Sequence, residues 1–142
     1  GRPFIGQLGW DAPIADIQAT VAAAKPAGGV AVVGYCWGGS LAFLSAVKVD
    51  GLACAVGYYG GQIATQLDAL PRVPLMLHFG EQDASIPQAD VEKIRGAVPG
   101  ATVFTYPGAG HGFSCDARRS HEPSSAALAR ERTLAFIREH VG

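Results

Sequence analysis

Residues 30–39 constrain this chain more than any other stretch. Val30-Ala31-Val32-Val33 is a short, fully apolar run with three β-branched side chains, the pattern of a buried strand. Ser40-Leu41-Ala42-Phe43-Leu44-Ser45-Ala46-Val47 reads as a helix. Between them, Gly34-Tyr35-Cys36-Trp37-Gly38-Gly39 leaves room only for a sharp turn. Strand, glycine-flanked turn and helix form the context of a nucleophile elbow, here with cysteine where serine is more usual. The glycines answer the crowding. Gly34 and Gly38 are expected to leave room where a Cβ would clash, and Gly39 to let the helix pack close to its strand. The turn also sets Cys36 at a helix N-terminus, which stabilises negative charge and so favours thiolate.

The rest of the chain repeats the strand–helix alternation. Residues 11–25 are expected to be helical, because Ile14, Ile17 and Val21 recur at spacings of three and four and Ala22, Ala23 and Ala24 favour helix. Pro26-Ala27-Gly28-Gly29 ends that helix. Further strands are expected at 52–59, 74–79 and 101–106, with 62–71 a connector that has room for a short helix. Helices are expected at 86–98, with Pro87 in the first turn, and from about 123 to 140, with Leu134, Ile137 and Val141 on one face. Near-continuous apolar strands alternating with helices mean an α/β fold with a parallel sheet covered by helices on both faces. In such sheets ligands bind at the carboxyl ends of the strands.

Bulk properties exclude several classes. In 142 residues, 49 % are hydrophobic and 16 % charged, which suits a folded domain rather than a disordered one. A net charge of −1 offers no basic footprint for nucleic acid. No apolar run approaches the roughly 20 residues of a membrane span, and the N-terminus lacks the pattern of a signal peptide. Three widely spaced cysteines suggest no disulfide framework and fit a reduced, cytoplasmic protein with one reactive thiol. No Cys/His spacing suits a metal.

Cys36, Asp83 and His111 each fall just after an expected strand, at one edge of the sheet. A thiol attacks well only as thiolate and needs a base, which His111 can supply. A histidine in that role needs a third group to fix its tautomer, and Asp83 can be that group. The chain order nucleophile, acid, base is that of α/β-hydrolases. The Trp37 backbone N–H, directly after the nucleophile, would be one oxyanion-hole donor. The chemistry that follows is acyl transfer from an ester or lactone through a thioester. Cys54 among apolar residues and His78 within a strand are expected in the core, whereas His121 and His140 are expected to be exposed.

The elbow, the segment His78-Phe79-Gly80-Glu81-Gln82-Asp83 followed by Ile86-Pro87, and Tyr106-Pro107-Gly108-Ala109-Gly110-His111-Gly112-Phe113 together resemble the dienelactone hydrolase (carboxymethylenebutenolidase) family. Ala129-Arg130-Glu131-Arg132-Thr133-Leu134-Ala135-Phe136 in the closing helix is similar to it too. The resemblance implies an α/β-hydrolase fold, no cofactor, a Cys36–His111–Asp83 triad and a small-molecule ester or lactone as substrate. It also implies pocket roles for Tyr35 and Trp37; Phe113 and Cys115 are further pocket candidates. Against the family pattern the chain looks like the C-terminal part of one domain, 1–142. The family's earlier strands, a second oxyanion donor, a glutamate near the nucleophile and an arginine near the substrate carboxylate have no counterpart here. Such a chain would present a bare sheet edge, which invites a homodimer or association with a missing N-terminal segment; the alternative expectation is a non-catalytic α/β-hydrolase fragment that pairs in this way. The arginine that muconate-lactone enzymes carry four residues after the histidine is replaced by Cys115, and the nearby Arg118 and Arg119 do not match its position. The substrate is therefore expected to be a different ester or lactone.

Overall fold

Four strands, β1 (Val30–Tyr35), β2 (Leu52–Tyr58), β3 (Leu75–Gly80) and β4 (Thr102–Tyr106), pair in parallel in chain order. The computed structural model describes the backbone of residues 2–142 and side chains from residue 5. Two helices, α1 (Arg2–Leu8) and α2 (Asp11–Ala24), precede the sheet; α3 (Trp37–Lys48) joins β1 to β2, and α4 (Gln88–Ala97) joins β3 to β4. The β2–β3 connector holds one short 3₁₀ turn, Ile63–Thr65. The chain closes on α5 (Pro123–Val141), whose N-terminus is capped by the Glu122 carboxylate accepting from the Ser124 and Ser125 N–H groups.

Register decides which side chains share a face. Tyr35, Tyr58, His78 and Phe104 are aligned across the four strands. Their face meets α5, because Thr133 bonds both Tyr58 and His78. Alternation turns Gly34 and Gly57 to the opposite face. There a Cβ on Gly57 would lie 2.8 Å from the Gly39 carbonyl of α3. Helices thus cover both faces, as the strand pattern predicts. Within the described residues β1 pairs only with β2, and on its α5 side Val33 and Tyr35 are exposed.

Close approach explains two of the elbow glycines, Gly34 as expected and Gly39 differently. A Cβ on Gly34 would overlap the Gly38 carbonyl, and one on Gly39 would overlap the Tyr58 carbonyl. Space around Gly38 itself is open. Gly38 therefore crowds its neighbour rather than being crowded, and Gly39 brings α3 against β2 rather than against its own strand.

The core fills both layers. Phe43, Phe79, Phe113, Ile63, Leu77 and Ile94 are fully buried, each worth ~1.5–3 kcal/mol in area removed from water. Cys54 is buried among them, and burial pushes its thiol pKa up. Three expectations shift. Pro87 stands just before α4 rather than inside its first turn. The buried face of α5 is Ser125, Ala129, Thr133 and Phe136, leaving Leu134 exposed, because the helix packs its small residues onto the strand side chains. His121 and His140 are half-buried, the latter bonded to the Phe136 carbonyl. Among the described residues, no helix is long and apolar enough to cross a membrane.

Beneath α5 lies one buried polar chain. Arg132 Nη1 donates to Tyr106 Oη (3.2 Å), which lies 2.8 Å from His78 Nδ1. His78 Nε2 is 3.0 Å from Thr133 Oγ1, itself 2.6 Å from Tyr58 Oη. Burial, with a smaller push from Arg132, holds the His78 pKa down at about 3, against an ordinary 6.5. Burial likewise raises the Tyr58 phenol to about 12. With a neutral ring, one nitrogen of His78 donates and the other accepts, so both of its hydroxyl contacts are satisfied. The folded state takes up the imidazole proton only near pH 3, whereas the unfolded chain takes it up near 6.5. Stability from this site is thus complete above pH 6.5 and drains away as pH falls towards 3. His78→Phe should cost ~1–3 kcal/mol at neutral pH by stranding hydroxyls. It should also flatten the decline of urea-unfolding stability between pH 7 and 4; an unchanged decline would show that His78 does not titrate as described.

Candidate active site

The turn after β1 forces Cys36 into a conformation that L residues rarely adopt, with φ 58° and ψ −120°. Such backbone costs ~1–3 kcal/mol and persists only where neighbours over-determine it. Here they do. The Cys36 N–H donates to the Tyr58 carbonyl at 3.0 Å, and the Cys36 carbonyl accepts from the Gly39 N–H (2.9 Å) and the Ser40 N–H (3.4 Å). Trp37 opens α3, so its N–H has no acceptor within the helix and adds to the positive end of the helix dipole.

Two loops bring the partners in. After β3, the Glu81 N–H donates to the Tyr106 carbonyl (3.0 Å) and the Gln82 N–H to the Ala109 carbonyl (2.9 Å), which fastens the β3–α4 loop to the loop after β4. Asp83 is buried on the first of these loops and His111 half-buried on the second. The Asp83 carboxylate accepts from the Ser85 N–H at 2.8 Å and from His111 Nδ1 at 2.7 Å. A carboxylate only accepts, so the Nδ1 proton is assigned to the histidine. In the neutral ring Nε2 is then an acceptor, 3.1 Å from Cys36 Sγ. The His111 carbonyl is pinned by Ser120 Oγ at 2.7 Å. Thus the three residues singled out from the sequence form one hydrogen-bonded chain, acid to imidazole to thiol.

A cavity of about 550 Å³ opens on Cys36 and His111. Trp37 lines it. The other pocket candidates do not. Tyr35 lies on the α5 face of the sheet, half exposed and stacked on Tyr58 with ring centroids 4.6 Å apart. Phe113 is fully buried against Tyr58, Tyr59 and Tyr106. Cys115 is half-buried on the loop that follows, outside the cavity lining. Strand alternation explains the first correction and core packing the second. The cavity instead gains Trp10, Gln62 and Ser85, none of which a local motif marks. Tyr59, left-handed at φ 39°, packs its ring 5.2 Å from the His111 ring, and burial pushes its phenol pKa far up. Among the described residues, no group of three His, Cys, Asp or Glu side chains is spaced to hold a metal ion.

The model of the dienelactone hydrolase family matches residues 7–141. The chain belongs to the dienelactone hydrolase family. Within the family, a carboxymethylenebutenolidase of Pseudomonas putida is 40 % identical over 138 residues, covering 89 % of this chain and 57 % of the relative. A carboxymethylenebutenolidase of Pseudomonas sp. (strain P51) is 36 % identical over 135 residues, covering 88 % and 56 %. A Klebsiella pneumoniae crystal structure bearing the dienelactone hydrolase name superposes with a TM-score of 0.76 at 32 % identity, over 87 % of this chain and 59 % of that one. The Pyrococcus furiosus esterase Pf2001 (TM-score 0.71, 16 % identity, 93 % and 63 % covered) shares the α/β-hydrolase fold. The chain spans about half the length of the curated relatives it matches, from 46 % to 57 %.

Of the three thiols, only Cys36 has an imidazole nitrogen within hydrogen-bond distance among the described residues. Iodoacetamide should label it first and leave Cys54 unmodified. His111→Ala should slow labelling of Cys36 at pH 7 by about 10- to 100-fold, as expected for loss of a paired base. Peptide mapping by mass spectrometry reads the result, and equal labelling rates in the variant would sever the thiol from the imidazole.

Proposed function

We propose that this protein is a cysteine-dependent hydrolase of small esters or lactones, with Cys36 as nucleophile, His111 as general base and acid, and Asp83 as the group that orients the imidazole. The observation that carries the reading is the Sγ–Nε2 distance of 3.1 Å with the Asp83 carboxylate 2.7 Å behind Nδ1. Cys36 gives its proton to His111 Nε2 as Sγ attacks the carbonyl carbon. The oxygen becomes an oxyanion beside the Trp37 N–H and the N-terminus of α3. Collapse of this intermediate breaks the C–O bond. The alkoxide leaves with the proton from Nε2, and the acyl group stays on sulfur as a thioester. Water then gives a proton to Nε2 and attacks the thioester. The thiolate departs, recovers that proton, and the acid is released. For a lactone both products remain one molecule, a hydroxy acid.

The Asp83 carboxylate matters most when Nε2 carries the proton, since it then faces an imidazolium. Membership of a family whose relatives are named for lactone hydrolysis supports the substrate class. Three free cysteines support a reducing, cytoplasmic setting.

Turnover of a neutral activated ester tests the reading. Cys36→Ala should remove kcat altogether, and Asp83→Asn should lower kcat/KM by about 10²- to 10⁴-fold, the range for a misoriented base. Undiminished hydrolysis by Cys36→Ala would refute it.

A further inference from the structure

Trp10 stands between α1 and α2, and Trp37 opens α3, 27 positions later in the sequence. Their indoles nonetheless meet at the cavity wall, with centroids 6.0 Å apart and planes tilted by 31°. That spacing is within the range of paired aromatic rings, so the two indoles form one aromatic patch in the cavity lining. Ile5 adds to the apolar lining. Gly6, Gly9 and Gly61 line the cavity without side chains and leave width for a ring. Ser40, Gln62 and Ser85 supply neutral polar groups, of which Ser40 Oγ already accepts from the Gln62 N–H at 3.1 Å.

We infer that this wall selects uncharged esters or lactones whose acyl part is flat and conjugated, such as an aroyl group. The inference rests on the hydrolase reading above, because that reading fixes the orientation. A leaving oxygen must sit beside His111 Nε2 to be protonated there. The acyl part therefore takes the remaining volume, along Trp37 and on to Trp10. A flat ring gains offset stacking on the indoles, which a flexible chain of equal size gains only in part. A carboxylate laid over the same surface meets the negative face of each ring and surrenders hydration to neutral partners. The 550 Å³ volume accommodates an aroyl ester of one ring with a small alcohol, within the range of small-molecule sites.

Trp10 and Trp37 are the only tryptophans in the sequence, so intrinsic tryptophan fluorescence reports this wall alone. Titration of the Cys36→Ala protein with benzamide, butyramide and 4-carboxybenzamide separates binding from turnover. Benzamide should change the emission saturably, at a concentration about tenfold below either of the others, and Trp10→Leu should erase that advantage. Butyramide or 4-carboxybenzamide binding as tightly as benzamide would overturn the inference, as would an advantage that survives Trp10→Leu. In parallel, the p-nitrophenyl esters of benzoic, butyric and 4-carboxybenzoic acids share one leaving group. Trp10→Leu should lower kcat/KM for the benzoate about tenfold more than for the butyrate. Equal losses would also overturn it. Absence of turnover from all three esters, with the benzamide preference intact, would instead overturn the hydrolase reading and leave the wall's selectivity standing.

Discussion

Everything at the carboxyl edge of this sheet depends on how closely α3 is pressed onto β1 and β2. The Gly38 carbonyl sits where a side chain on Gly34 would be, and Gly39 lies against the Tyr58 carbonyl. Only in that wedge is there no room for an ordinary turn, and Cys36 is driven to φ 58°. Backbone bonds to β2 and to the first turn of α3 hold it there. The strain is local, and it accompanies a sulfur held 3.1 Å from His111 Nε2 at the start of α3. The same approach fixes Trp37, and through Trp37 the wall shared with Trp10.

On the opposite face, a second set of contacts holds the strands in register. The His78 chain ties β2, β3 and β4 to α5 through buried side chains. It adjoins the site without entering it: the residue after Tyr58 is Tyr59, whose ring packs near His111. A neutral buried imidazole is well suited to this place, because it can accept from one hydroxyl and donate to another without a charge to solvate.

The sequence was legible wherever structure is local. Strand–turn–helix at 30–48 needs only apolar runs and glycine; most bounds follow within a residue or two, but α3 begins at Trp37, three residues before the expected Ser40, and α1 was not expected. Asp83 and His111 were legible because a parallel sheet gathers its strand ends at one edge, so distance along the chain does not matter. Side-chain direction across the sheet was harder to read. Tyr35 adjoins Cys36 in sequence but belongs to the other face, by the alternation of β1 and its stacking on Tyr58. Phe113 adjoins His111 yet is fully buried in core packing. Trp10 carries no motif at all; its place at the cavity depends on how the α1–α2 corner docks against α3. The role given to Gly38 failed for a related reason, since the pattern shows that a glycine is present but not which of two neighbours is being crowded.

If the strained turn makes Cys36 the acceptor of the acyl group, turnover passes through an acyl-enzyme at that residue. Rapid acid quench during hydrolysis of an activated ester, followed by intact-protein and peptide mass spectrometry, tests it directly. The expected result is a transient mass increase of one acyl group, confined to the peptide that contains Cys36 and longer-lived in His111→Ala once formed, because deacylation has lost its base. Steady turnover without an acyl-enzyme, or an acyl group carried on Cys115 instead, would contradict it.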